Sequence, residues 1–205
     1  MEQNKAIRLF ILFNLLILIL TFSFQSLTKA DDISDFQIEG MSIGDSALDY
    51  FTINELNDSL DKYDYLDKYR YYFFSYPKGK EYEYLQITVK QKDSKYIIYD
   101  LQGHIFYSNN IKKCNKKLNE IKKDIDGILN TEGKEYSGAH WIDKTGESKY
   151  KRINYSLQGG IVDLICFDMS KKLEEKGKED RLSITFTSRE FAEWLDKNYS
   201  KMKTN

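Results

Sequence analysis

The sequence predicts an α+β domain in which antiparallel strand meanders pack against helices. Three observations carry that reading. Residues 69–107 form short extended runs separated by only a few turn residues. Such links join neighbours antiparallel, because a parallel pair needs a crossover of a dozen residues or more. Residues 110–129 repeat apolar positions at steps of three and four, the period of an amphipathic helix. A second set of extended runs after Gly133 leads into another helical pattern. The order suggests two loosely similar helix-plus-sheet halves, about 36–108 and 109–205.

The N-terminus reads as a leader. Lys5 and Arg8 precede an apolar run from Leu9 to Phe24, followed by polar residues with Thr28 and Ala30 at the two small positions of a cleavage site. This is the layout of a signal peptide, cleaved after Ala30. As a helix the run of about 16 residues would extend roughly 24 Å, short of a hydrocarbon core of about 30 Å. Membrane association is therefore expected only through this segment, if it is retained. Residues 31–205 are then one exported domain, periplasmic or secreted. Without the leader the formal charge of −1 becomes about −3. That balance argues against nucleic acid as a partner, since phosphate binding wants a basic face.

The elements follow in order. Phe36-Gln37-Ile38 reads as a brief strand, and residues 45–51 as a short helix with Leu48 and Phe51 on one side. Thr52-x-x-Glu55 is a capping box opening a helix with Ile53, Leu56 and Leu60 inward. Asp58, Asp61, Asp64 and Asp67 lie off that stripe and read as a solvated face. They lack the spacing of a calcium loop. Strands are expected at Tyr69–Tyr76, closed by the turn Pro77-Lys78-Gly79, and at Glu81–Lys90, where Tyr82, Tyr84, Gln86 and Thr88 alternate against Glu83, Leu85, Ile87 and Val89. Tyr96–Tyr99 and Ile105–Tyr107 are expected as two further strands around a turn at Asp100–Gly103.

The helix at 110–129 carries Ile111, Cys114, Leu118, Ile121, Ile125 and Ile128 on one stripe, with lysines away from it. Residues 139–142 read as a strand ending in the turn Asp143-Lys144-Thr145-Gly146. Tyr150–Leu157 and Ile161–Phe167 form a hairpin about Gln158-Gly159-Gly160. A charged connection, 171–180, precedes a strand at Leu182–Phe186. Thr187-x-x-Glu190 then reads as a second capping box, starting a helix with Phe191, Trp194, Leu195 and Tyr199 inward.

Two hydrolase signatures overlap near the start: Gly40-Met41-Ser42-Ile43-Gly44 fits G-x-S-x-G, and Gly44-Asp45-Ser46 fits the G-D-S block of GDSL-type esterases. A nucleophilic Ser46 or Ser42 would need a histidine base oriented by an acid, on a sheet built from crossovers. His104 and His140 are the only histidines, neither sits in an Asp-x-x-His block, and the strands that follow read as hairpins. The residues read instead as a turn whose Asp45 or Ser46 caps a helix.

Cys114 and Cys166 both point inward on their elements, as a disulfide or as two buried free thiols. Neither cysteine stands at metal-ligand spacing with a histidine, so no metal or cofactor is expected. The aromatic run from Tyr69 to Tyr84 offers Tyr71, Tyr82 and Tyr84 as candidate binding residues, toward an envelope protein, a glycan or another small ligand.

The stretch Ile38-Glu39-Gly40-Met41-Ser42, leading into a short helix and a meander, resembles the opening of small exported domains of the BamE/SmpA and β-lactamase-inhibitor-protein-like type. The resemblance implies a non-enzymatic module that binds another protein with its sheet face. The chain departs from the pattern in having no lipid-anchoring cysteine after its apolar run.

Overall fold

The computed structural model describes residues 32–60, 68–75, 81–129 and 131–202. The expected leader (1–30), Asp61, Asp64 and Asp67, the Pro77-Lys78-Gly79 turn and the Tyr199 side chain lie outside the described residues. Strands β1 (Tyr69–Ser75), β2 (Tyr84–Lys90), β3 (Ile98–Phe106), β4 (Lys134–Ala139), β5 (Lys149–Leu157), β6 (Gly160–Asp168) and β7 (Arg181–Ser188) form one antiparallel sheet in the order β1-β2-β3-β7-β6-β5-β4. Helices α1 (Ile53–Asp58), α2 (Ile111–Ile128), α3 (Lys171–Glu174) and α4 (Arg189–Met202) complete it. The architecture is α+β and dominated by strands. β7 comes last yet fills the centre, between β3 and β6, so both sets of strands share one sheet.

Alternation sorts the side chains onto two faces. One face is apolar: Tyr72 and Phe74, Leu85, Ile87 and Val89, Leu101, Ile184 and Phe186, Val162 and Leu164, Ile153 and Tyr155 are all buried. α2 lies across this face over β6 and β7. Two attachments hold it there. Cys114 and Cys166 form a disulfide, with Cα atoms 6.0 Å apart. Near the other end, the Tyr155 hydroxyl donates to Asp126 at 2.8 Å, while Lys122 pairs with the same carboxylate. Residues 33–56 extend the layer through Ile33, Phe36, Ile38, Met41, Ala47 and Leu56.

Several local expectations change once the sheet forms. Asp100–Gly103 is no turn, and β3 runs straight through it. Asp and Gly favour turns in isolation. Here Asp100 accepts from Thr187 and Gln102, and Gly103 leaves room for the Tyr82 ring, so pairing on both sides wins. Phe36–Ile38 is no strand, and only an isolated bridge joins Ile38 to Met41. Residues 45–51 contain a single 3-10 turn, Ala47–Asp49. The edge strand β4 ends at Ala139, where a strand is expected to begin, and residues 140–143 make a turn closed by the Asp143 amide donating to the His140 carbonyl.

The two capping boxes diverge. Thr52 and Glu55 exchange both bonds at the start of α1. Thr187 belongs to β7 and gives its hydroxyl to Asp100. Ser188 Oγ accepts the Phe191 amide at the head of α4, and Glu190 is drawn away to Lys68 and Lys90.

Candidate functional site

The other face of the sheet is built differently. Strand registers place three rows of side chains across it. Tyr84 stands beside His104 and then Ser183; Phe73 beside Gln86, Gln102, Thr185 and Asp163; Phe106 beside Arg181, Phe167 and Tyr150. α4 covers one end, where Phe191 packs on Tyr69 at 4.6 Å and on Tyr71 at 6.3 Å between ring centroids. Beyond α4 the rings continue from Tyr71 to Phe73 (6.5 Å), Tyr84 (5.7 Å) and His104 (6.0 Å). These side chains are half-buried, and their spacing suits tilted ring packing.

A cleft of about 450 Å³ opens at the far end of this row. Its floor is Phe73, Tyr84, Gln86, Gln102, His104, Phe106 and Arg181, and its wall is the loop Gly177-Lys178-Glu179 that leads into β7. Burial pulls His104 down to about 4, with help from the nearby Arg181 charge, so its imidazole is neutral near pH 7. His140 is shifted the same way for the same two reasons. Both histidines of the chain thus feel the Arg181 charge. His140 accepts the Ile142 amide and packs on Phe167 and Trp141, whose indole is 72% exposed. His104 Nδ1 is buried with no hydrogen-bond partner among the described residues.

Arg181 is the unusual charge. Its guanidinium lies 4.6 Å from the Phe167 ring centre, and Nη1 is 3.5 Å from the Glu179 carbonyl. Among the described residues no ion pair reaches it, and burial lowers its proton affinity. Glu179 directs its carboxylate to the Ser108 hydroxyl, at 2.8 Å. The contrast is Arg152 in a second cleft, of about 540 Å³ beside α4. There Arg152 grips Asp163 with two bonds of 2.6 Å.

The candidate residues fall as follows. Tyr71 and Tyr84 share the open row. Tyr82 does not, because β2 begins only at Tyr84. The chain ahead of it turns the Tyr82 ring to the apolar face, over Gly103, where it is buried and its hydroxyl is pushed upward. Ser46 caps the 3-10 turn: its Oγ accepts from Leu48 N and donates to the Lys95 carbonyl at 2.7 Å. Ser42 donates its amide to Asp45, which also accepts from the Tyr50 hydroxyl and raises Tyr50 to about 12. The histidine rings pack elsewhere, on Tyr84 and on Phe167. Among the described residues no group of acidic, histidine or cysteine side chains could hold a metal ion.

Sequence reasoning overlooked Phe73, Gln86, Gln102, His104, Phe106 and Arg181 as one group. Same-face spacing within β2 and β3 linked some of them, but nothing local placed β7 beside β3. No family model, curated protein or solved structure matches this chain.

Proposed function

We propose that this chain is a non-enzymatic binding domain of the cell envelope, engaging its partner or ligand through the open sheet face. The single observation that carries this is the row Tyr71–Phe73–Tyr84–His104, which runs out from the edge of α4 at Tyr71 to line an open cleft with Phe73, Tyr84 and His104. Apolar rings at a rim of amides and a cation are what recognition surfaces use, since they combine large contact area with fixed polar contacts. The disulfide suits an exported protein, because thiols in reducing compartments stay unpaired. Among the described residues no helix is long and apolar enough to cross a membrane. The resemblance of the opening to inhibitor-like domains points to the same use of the sheet. The strands before α2 and those after it, each set followed by a helix, read as two loosely similar units pooling their strands to make that face.

The test is a photo-crosslinking residue placed at Tyr84 and, as control, at Lys123, with adducts read by mass spectrometry in cells. A defined adduct from position 84 and none from 123 supports the reading. Equal adducts from both, or none from either, overturns it.

A further inference from the structure

We infer that the cleft floored by Tyr84, Gln102, His104 and Arg181 is a site for a small acidic sugar, with the carboxylate on Arg181. The inference rests on the open face being the binding surface and names the ligand class for it.

Three features converge. The first is charge. A guanidinium partly withdrawn from water, as the half-buried Arg181 is, loses some hydration that a carboxylate would replace. Arg181 has Phe167 on one side, a distant carbonyl on another, and no ion pair among the described residues. Of the other charges at the cleft, Lys178 adds to it and Glu179 is bonded to Ser108. With two cations, Arg181 and Lys178, against the one carboxylate of Glu179, which faces Ser108, the lining carries a net positive charge, and the planar fork of arginine suits a carboxylate's two oxygens.

The second feature is the pair of amides, Gln86 and Gln102, side by side in register on the floor. Each amide offers donors and an acceptor, which matches hydroxyls that both give and take hydrogen bonds. Gln102 already gives one N–H to Asp100, so a purely apolar acid would leave the Gln86 amide and the Gln102 carbonyl oxygen without a ligand partner, at a cost in affinity. The third is the rings. Phe73, Tyr84 and Phe106 present apolar surface against which the C–H face of a pyranose can lie. The volume, about 450 Å³, falls in the small-ligand range of about 300–1,000 Å³. His104 Nδ1 lies on the same floor, buried and without a hydrogen-bond partner among the described residues.

The experiment is a calorimetric and NMR titration of the disulfide-bonded chain with sodium glucuronate, with glucose as the neutral control and benzoate as an acid without hydroxyls. Glucuronate is expected to bind about tenfold or more tightly than glucose, the worth of a charge-assisted pair. Shifts should centre on the Gln102 and Arg181 resonances. Arg181→Gln should erase the preference, and Gln86→Ala, which leaves the charge in place, should weaken glucuronate while sparing benzoate. Equal affinity for glucuronate and glucose overturns the inference, as does benzoate binding at least as tightly as glucuronate, or no binding of any of the three. If glucuronate fails while the crosslink from position 84 persists, the open face still binds and only the ligand class falls.

Discussion

Thr187 of β7 donates its hydroxyl to the Asp100 carboxylate of β3 at 2.7 Å, in the middle of the sheet and out of contact with water. The two residues are paired in register, and Gln102 adds a second donor at 2.8 Å. A carboxylate at the centre of a sheet is costly to ionise.

Stability should therefore depend on the Asp100 proton. Burial raises this group to about 6 against the opposing bonds from Gln102 and Thr187. A raised acid contributes stability that is complete below its ordinary value near 4 and is lost as pH climbs through 6. The unfolding free energy from denaturant titrations should rise by about 1.4 kcal/mol on going from pH 7.5 to 5, roughly half of the full effect that is reached only below pH 4. Asp100→Asn should flatten that slope. A wild-type slope matching the variant's between pH 5 and 7 would refute the assignment.

The bond between Cys114 and Cys166 closes a loop with a sequence separation of 52 and pins α2 to β6. On the loop-entropy model its removal costs about 4 kcal/mol. The double variant Cys114→Ala/Cys166→Ala should unfold at much lower urea than the oxidised chain. Two free thiols counted by alkylation of the native, unreduced protein would contradict the pairing outright.

A β-carbon on Gly103 would clash with one edge of the Tyr82 ring, at Cδ1, Cε1 and Cγ. Gly103→Ala should destabilise by about 1–3 kcal/mol through overpacking. In a Tyr82→Ala background the same change should cost far less, because the obstructing ring is gone. Additive losses in that double-mutant cycle would mean that the ring does not rest there.

Ser46 spends its hydroxyl proton on the Lys95 carbonyl and its lone pair on the Leu48 amide. Ser46→Ala should cost about 1 kcal/mol, the worth of a lost cap. A fluorophosphonate probe should label neither form. Label on the wild type that disappears in the variant would revive the hydrolase reading.

What could be read from the chain is what depends on near neighbours. The stripe from Ile111 to Ile128 specifies α2, because a helix face is set by residues three and four apart. The hairpin of β5 and β6 follows likewise from two alternating runs about Gly159-Gly160. Tyr71 and Tyr84 were visible as aromatic strand residues. Other features waited for tertiary contacts. Asp100 and Gly103 look like a turn until Thr187 and Tyr82 arrive from elsewhere in the chain to satisfy one and cover the other. Thr187 looks like a cap until Asp100 claims its hydroxyl.

By itself, then, the sequence determined α1 and the two long helices α2 and α4, most strand positions and which residues alternate, while α3 arose inside the stretch that reads as a charged connection and the 45–51 run made only a 3-10 turn. The tertiary structure alone decided that β7 lies between β3 and β6, that Tyr82 faces the core, and that Arg181 stands beside His104 over a cleft. The physical reason is range. Periodicity and capping act within a few residues, whereas strand order is chosen by how much apolar surface the whole sheet can bury.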